Sequence, residues 1–151
     1  MFGISKVLGA LVAVAAALAM AAPTASAAQV KDDSIVTLTP SNQQQVLDMS
    51  KTKLVIMDFG ATWCPGCRQL KPWLEQQARS NGGKWILAEV DVDQNRSFTN
   101  GYSIKYIPTL IAHKNGAEMG HDRGAARDNG TMMSNEQIKA WIAKKITEYG
   151  S

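Results

Sequence analysis

The chain has little of the two residues that most often build metal sites and covalent staples: two cysteines and two histidines among 151 residues. Both cysteines, Cys64 and Cys67, fall in one short stretch, and a loop closed between them is too small to stabilise a fold by restricting the unfolded chain. A stapled scaffold is therefore excluded. Zinc would need two further ligands, and His113 and His121 stand eight positions apart across a predicted hairpin, wider than the spacing of common sites, which leave about three to five residues between. Each reads as a surface or strand-rim histidine, and no metal or other cofactor is expected. An excess of charge of one sign is also missing, since 16 basic side chains stand against 13 acidic ones. Lys144-Lys145 is the only adjacent basic pair and no basic stripe interleaves with aromatics, so nucleic acid is not an expected partner.

The N-terminus does have an apolar run, but a short one. Lys6 precedes 16 small apolar residues, Val7 to Ala22, and a Pro/Thr/Ser-containing stretch with alanines at cleavage spacing follows. A membrane span wants about 20 residues. Residues 1–27 therefore read as a cleaved secretory signal, cut after Ala27 or Ala28, which directs the chain to an oxidising envelope compartment, the periplasm. The alternative is an uncleaved segment anchoring the chain to the inner membrane. No cysteine near the cut is available for lipid. Residues 28–151 then form a single domain, enough for one hydrophobic core and too few for two.

Periodicity sketches that domain. "SIVTL" (34–38) is a short strand and "PSNQQQVLDM" a helix beginning near Ser41 or Asn42. "KLVIMDF" (53–59) is apolar and β-branched throughout, as a strand covered on both faces should be. "RQLKPWLEQQARSN" carries Leu70, Trp73 and Leu74 on one helical side and ends at "NGG". "WILAEVDV" (85–92) is a further strand, "QNRSFTNGY" a short irregular helix, and "TLIAHKNGAEMGHD" a hairpin turning at Asn115-Gly116. Ser134 and Gln137 form a capping box for a last helix with Ile138, Trp141, Ile142 and Ile146 on its apolar side. Strands alternating with helices before a terminal hairpin and helix predict an α/β fold, a central mixed β-sheet flanked by helices.

The two cysteines sit where the apolar strand hands over to the helix. The thiolate is the form that attacks a disulfide, and an unperturbed thiol is mostly protonated at neutral pH. A helix beginning at Cys64 offers unpaired N–H groups and the positive end of its dipole to that sulfur. Cys67, one turn on, is close enough to pair with it and lies further inward. The expected chemistry is capture of a partner by Cys64 as a mixed disulfide and resolution by Cys67. Pro65 costs little where a helix N–H has no acceptor and stiffens the turn, while Gly66 loosens it. Asp58 interrupts the apolar strand, and a carboxylate there is expensive unless protonated or paired; backbone capping at a strand end is the other reading. Trp63, next to Cys64, can be a core anchor, since large aromatics are often mostly buried.

From Ile35 to Tyr149 these segments resemble the thioredoxin family in order. "LVIMDFGATWCPGC" is similar to the strand and active-site turn, Lys71-Pro72 to the bend in the following helix, "VDVDQN" to the next strand, "YSIKYIPTL" to the cis-proline segment, and "KNG" to the hairpin turn. The resemblance implies a thioredoxin fold and a thiol-disulfide oxidoreductase that reduces protein disulfides. Asp58 is then the proton acceptor for Cys67. Trp63, Pro65, Gly66, Ile107 and Pro108 become the substrate-binding rim, with a cis bond before Pro108 and the Ile107 backbone open to an extended substrate. It also implies disulfide-bearing protein substrates, a membrane-bound electron donor, and a monomer. The Pro-Gly order between the cysteines resembles oxidising pairs, so a net oxidant or isomerase is an alternative, as is a redox-inert binding or assembly factor on the same fold. Three departures stand out. Glu89 replaces a lysine, Gly60 replaces an aromatic, and "AARDNGTMM" (125–133) lengthens the last connection by about seven residues, either as plain surface loop or as a partner contact.

Overall fold

The computed structural model describes residues 33–150; the signal segment expected at 1–27 and its expected cleavage point lie outside the described residues. The elements run β1 (Ile35–Leu38), α1 (Gln43–Thr52), β2 (Leu54–Gly60), α2 (Pro65–Arg79), β3 (Trp85–Asp91), α3 (Arg96–Asn100), β4 (Thr109–Lys114), β5 (Ala117–Glu118), β6 (Gly124–Ala125) and α4 (Asn135–Tyr149). The sheet order is β1-β3-β2-β4-β5, with β6 also on β4. β1, β3 and β2 are parallel, while β4 runs antiparallel to β2 and to both short strands. This is the mixed sheet between helices that the periodicity predicts.

Successive side chains of a strand point to opposite faces, and β2 shows what that does in a sheet covered on both sides. Leu54 and Ile56 face α2 and α4, packed with Leu70, Leu74, Ile138 and Trp141. Val55, Met57 and Phe59 face the other way, toward Val46 of α1 and the rings of Phe98 and Tyr102. The same alternation sends Trp85 and Leu87 of β3 to the α2 side and Ile86 and Ala88 to the α1 side. Asp58 and Glu89, next in the even and odd series of their strands, therefore belong to the α2 side.

Helix ends are set locally. Ser134 and Gln137 form the predicted capping box. Asn42 occupies the cap position of α1 without bonding the helix; its side chain instead accepts from the Thr39 N–H (2.7 Å) and donates to the Thr37 carbonyl (2.9 Å), tying β1 to the turn.

Two expectations are corrected. His113 is a core residue, 2% exposed, because β4 is covered on both faces and every residue from Thr109 to Lys114 is buried. Its ring meets Tyr102 edge-on at 5.4 Å and neither ring nitrogen has a hydrogen-bond partner. His121 is exposed. The second arm of the hairpin is also broken. The turn forms as predicted, with Asn115 and Gly116 at φ 54° and 78°. β5 stops after two residues, and β6 resumes with Gly124 opposite Leu110, three residues later than the first register would put it. The gap is pinned to α4: fully buried Lys145 donates to Asp122 Oδ1 (2.5 Å) and to the Met119 carbonyl (3.2 Å), and the Trp141 indole N–H donates to the Asp122 carbonyl (3.1 Å).

Burial pushes the His113 pKa down to about 4 from 6.5, against a smaller upward pull from Glu118, its cross-strand neighbour. A base whose folded pKa is depressed contributes stability above its unfolded pKa that is lost as pH falls through the folded one. His113→Leu should therefore gain on the wild type by about 3 kcal/mol between pH 6.5 and 4. Urea unfolding of both proteins across that range measures the difference, and a constant gap would show that His113 is not buried as the neutral base.

Candidate active site

The junction of β2 and α2 brings the two cysteines together. Cys64 has extended backbone and takes the N-cap position, Pro65 fills the first helical turn, and the Cys64 Sγ accepts the Cys67 N–H at 3.2 Å. The sulfurs are joined in a disulfide with the Cα atoms 5.3 Å apart. Cys67 does not lie deeper than Cys64, as expected from its place one turn on: the residues are 7% and 5% exposed. Their surroundings distinguish them. Cys64 Sγ lies 3.8 Å from the Ile107 carbonyl oxygen. Cys67 Sγ is turned toward the sheet, 3.3 Å from where a Cβ on Gly60 would be. Gly60, in place of an aromatic, thus keeps the floor under Cys67 open.

Beneath that floor is a cavity of about 500 Å³ shared by Asp58, Gly60, Cys67, Lys71 and Glu89. β2–β3 register sets Asp58 directly beside Glu89. Asp58 is 9% exposed and its Oδ1 has no hydrogen-bond partner, which rejects the backbone-capped reading. Burial raises its pKa to about 7, the Glu89 charge adds to the rise, and Lys71 opposes it. Lys71 Nζ lies 2.5 Å from Glu89 Oε1 and 3.4 Å from Glu75 Oε1. Partial burial would lower the lysine's pKa, but the two carboxylates more than offset this and hold it above its usual value. The cation of the site thus comes from the helix and the second carboxylate from the strand. Sequence reasoning assigns Lys71 only a place before the bend at Pro72. The available signal is its spacing, four residues after Cys67 and so on the same helical face.

The rim is built from three segments. Trp63 is 63% exposed, not a core anchor, and its indole N–H donates to Asp93 Oδ2 at 2.8 Å. Pro65 is exposed and Gly66 half-buried; a Cβ on Gly66 would stand 3.4 Å from Pro108 Cδ, so the helix start and the proline are in contact range. The Ile107-Pro108 bond is cis, and Ile107 makes no backbone hydrogen bond among the described residues. Chemically, the arrangement can exchange the Cys64–Cys67 disulfide with a partner at Ile107 while a proton is held at Asp58.

Two outcomes follow from the charges. Asp58 ionises less readily in the folded chain, so its contribution to stability is full below about pH 4 and lost as pH rises through about 7. Asp58→Asn should then exceed the wild type by about 4 kcal/mol at pH 8 and by little at pH 4, read by urea unfolding of the oxidised proteins. Lys71→Met should move the Asp58 midpoint above 7 and Glu89→Gln below it, followed by NMR titration of the carboxyl carbon. An unmoved midpoint in both variants would leave burial as the sole cause.

The sequence and the fold were compared with known proteins. A thioredoxin family model matches residues 34–143. Thioredoxin of Chlorobaculum thiosulfatiphilum is 36% identical over 107 residues, which cover 71% of this chain and 87% of that protein. Thioredoxin of Echinococcus granulosus is 44% identical over 73 residues, 48% of this chain and 67% of that one. The crystal structure of Schistosoma mansoni thioredoxin matches with a TM-score of 0.61 at 28% identity, covering 75% of this chain and 96% of the other. A match that runs from β1 into α4 takes in the sheet and the Cys64–Cys67 pair together, and the chain belongs to the thioredoxin family, whose members are thiol-disulfide oxidoreductases acting on disulfide-bearing proteins.

Proposed function

We propose that the protein is an exported, periplasmic reductase of protein disulfides that works as a monomer and is re-reduced by a membrane-bound electron donor. The observation that carries the reductase mechanism is the Cys64 sulfur at the head of α2, accepting the Cys67 N–H. That position stabilises a thiolate on Cys64. In the dithiol form this thiolate attacks one sulfur of a substrate disulfide. A Cys64–substrate bond forms, and the other substrate sulfur leaves as a thiolate. Cys67 then loses its proton to Asp58 and attacks the Cys64 sulfur, closing the internal disulfide and releasing the second substrate thiol. Two electrons have passed to the substrate. The cavity shared by Asp58 and Cys67 is roomy enough for water, and Asp58, Lys71 and Glu89 give that water polar partners along which to relay the proton. Ile107 and Pro108 receive the substrate backbone, and Trp63, Pro65 and Gly66 border it. Export rests on Lys6, the apolar run to Ala22 and the alanines before residue 28; an uncleaved N-terminal anchor would leave the chemistry unchanged.

Cys67→Ser should accumulate a mixed disulfide through Cys64, identified by mass spectrometry of trapped adducts. Adducts found only through Cys67, in a Cys64→Ser protein, would reverse the two roles. Asp58→Asn should slow release about ten-fold or more while capture is little changed, and the wild-type release rate should rise with pH to a plateau above about 7. Stopped-flow kinetics separate the two steps. Direction is read by equilibration with glutathione: a potential between about −270 and −180 mV supports reduction, and one near −120 mV makes the same pair a disulfide donor.

A further inference from the structure

The 125–133 connection is a built β-hairpin rising beside the disulfide. Ala126 bridges to Met132, the Met133 N–H donates to the Ala125 carbonyl (2.8 Å), the Arg127 N–H donates to Thr131 (2.9 Å), and the Gly130 N–H closes the turn on Arg127 (2.8 Å). Asn129 Oδ1 accepts from both the N–H and the hydroxyl of Thr131 (3.0 and 2.7 Å). Two contacts fasten the hairpin to the cis-proline segment. The Ala126 N–H donates to the Pro108 carbonyl at 3.0 Å, and Gly130, at φ 79°, lies so close to the Tyr106 ring that a Cβ would come within 3.1 Å of it.

The two methionines at the end of the hairpin differ in burial. Met133 packs on the core, whereas Met132 is 41% exposed. A groove of about 260 Å³ is lined by Met132 and Met133 together with Gly66, Leu70 and Ile138, and the polar side chains Gln69 and Asn135 share its border. Gly66 lies between the two cysteines in sequence, so the groove borders the start of α2 that carries the disulfide. Among the described residues only Trp63, Tyr106 and Met132 are large hydrophobics left exposed, and each belongs to a segment at the disulfide rim. Single exposed apolar residues are ordinary, but here one precedes Cys64, one precedes Ile107, whose carbonyl faces the Cys64 sulfur, and one shares a groove with Gly66, a distribution that favours a contact surface around the disulfide.

We infer that this hairpin is a specificity element: Met132 and the groove it shares with Gly66 receive a large apolar side chain next to the reactive cysteine of an extended substrate. The inference rests on the reductase reading and extends the Ile107 docking site on its Gly66 side. The groove has room for one such side chain and is smaller than a cofactor pocket, which begins at about 300 Å³. A thioether adapts its shape to different apolar side chains, so a size class rather than one residue is selected.

The test uses two disulfide-linked peptides, one with leucine on both sides of each cysteine and one with serine there, alongside a small aromatic disulfide. The wild type should favour the leucine peptide about ten-fold in kcat/KM, mainly through KM. Met132→Ser should bring the ratio close to one, and Met132→Leu should keep it. Equal turnover of the two peptides by the wild type, or a preference that survives in Met132→Ser, would overturn the inference while leaving the reductase reading intact. Failure of the wild type to reduce even the small disulfide would overturn both.

Discussion

Strand β2 must be dry on both faces, and the site is organised around the one residue that resists this. Its neighbours in the even series, Leu54 and Ile56, satisfy the α2 side with hydrocarbon. Asp58 places a carboxyl group in the same row, where ionisation is disfavoured by lost hydration. No backbone donor relieves it. A carboxyl group held close to half-ionised at neutral pH can take a proton and return it, which an ordinary surface aspartate, ionised throughout, does poorly.

The charges around Asp58 temper that cost rather than cancel it. Glu89 alone would push the carboxyl further toward its neutral form, but Glu89 is held by Lys71, and the lysine charge also reaches Asp58. A three-member row of acid, acid and base leaves the buried member sensitive to the outer two. The pair sits on two different elements, α2 and β3, so a small shift of the helix over the sheet would alter the acidity of Asp58 without touching either cysteine.

Much of this was legible from residue order. The β2 run, the Cys64 helix start and the Ser134/Gln137 box are local patterns, and local patterns survive folding when tertiary packing agrees with them. The resemblance also located the cis bond before Pro108 correctly. What was not legible depends on register and on neighbours distant in sequence. Lys71 and Glu89 meet only because α2 crosses β3 at that level. His113 looked like a rim residue because nothing local says that β4 is covered on both faces. The equal burial of the two cysteines reflects the cis-proline segment lying over Cys64, which helix geometry alone does not contain. Asp122 and Lys145 are likewise brought together by packing, across 23 positions of sequence.

That last contact has a consequence for how the molecule keeps to itself. The outer border of the sheet beyond β4 is not a continuous strand but two pairs of residues separated by a kink, and the kink is nailed to α4 through Lys145. A long straight border would offer a row of free N–H and carbonyl groups to any passing extended chain. Here the row is cut short before a foreign strand could settle into register. On this side of the sheet, an extended segment of a neighbouring protein finds no border long enough to pair with.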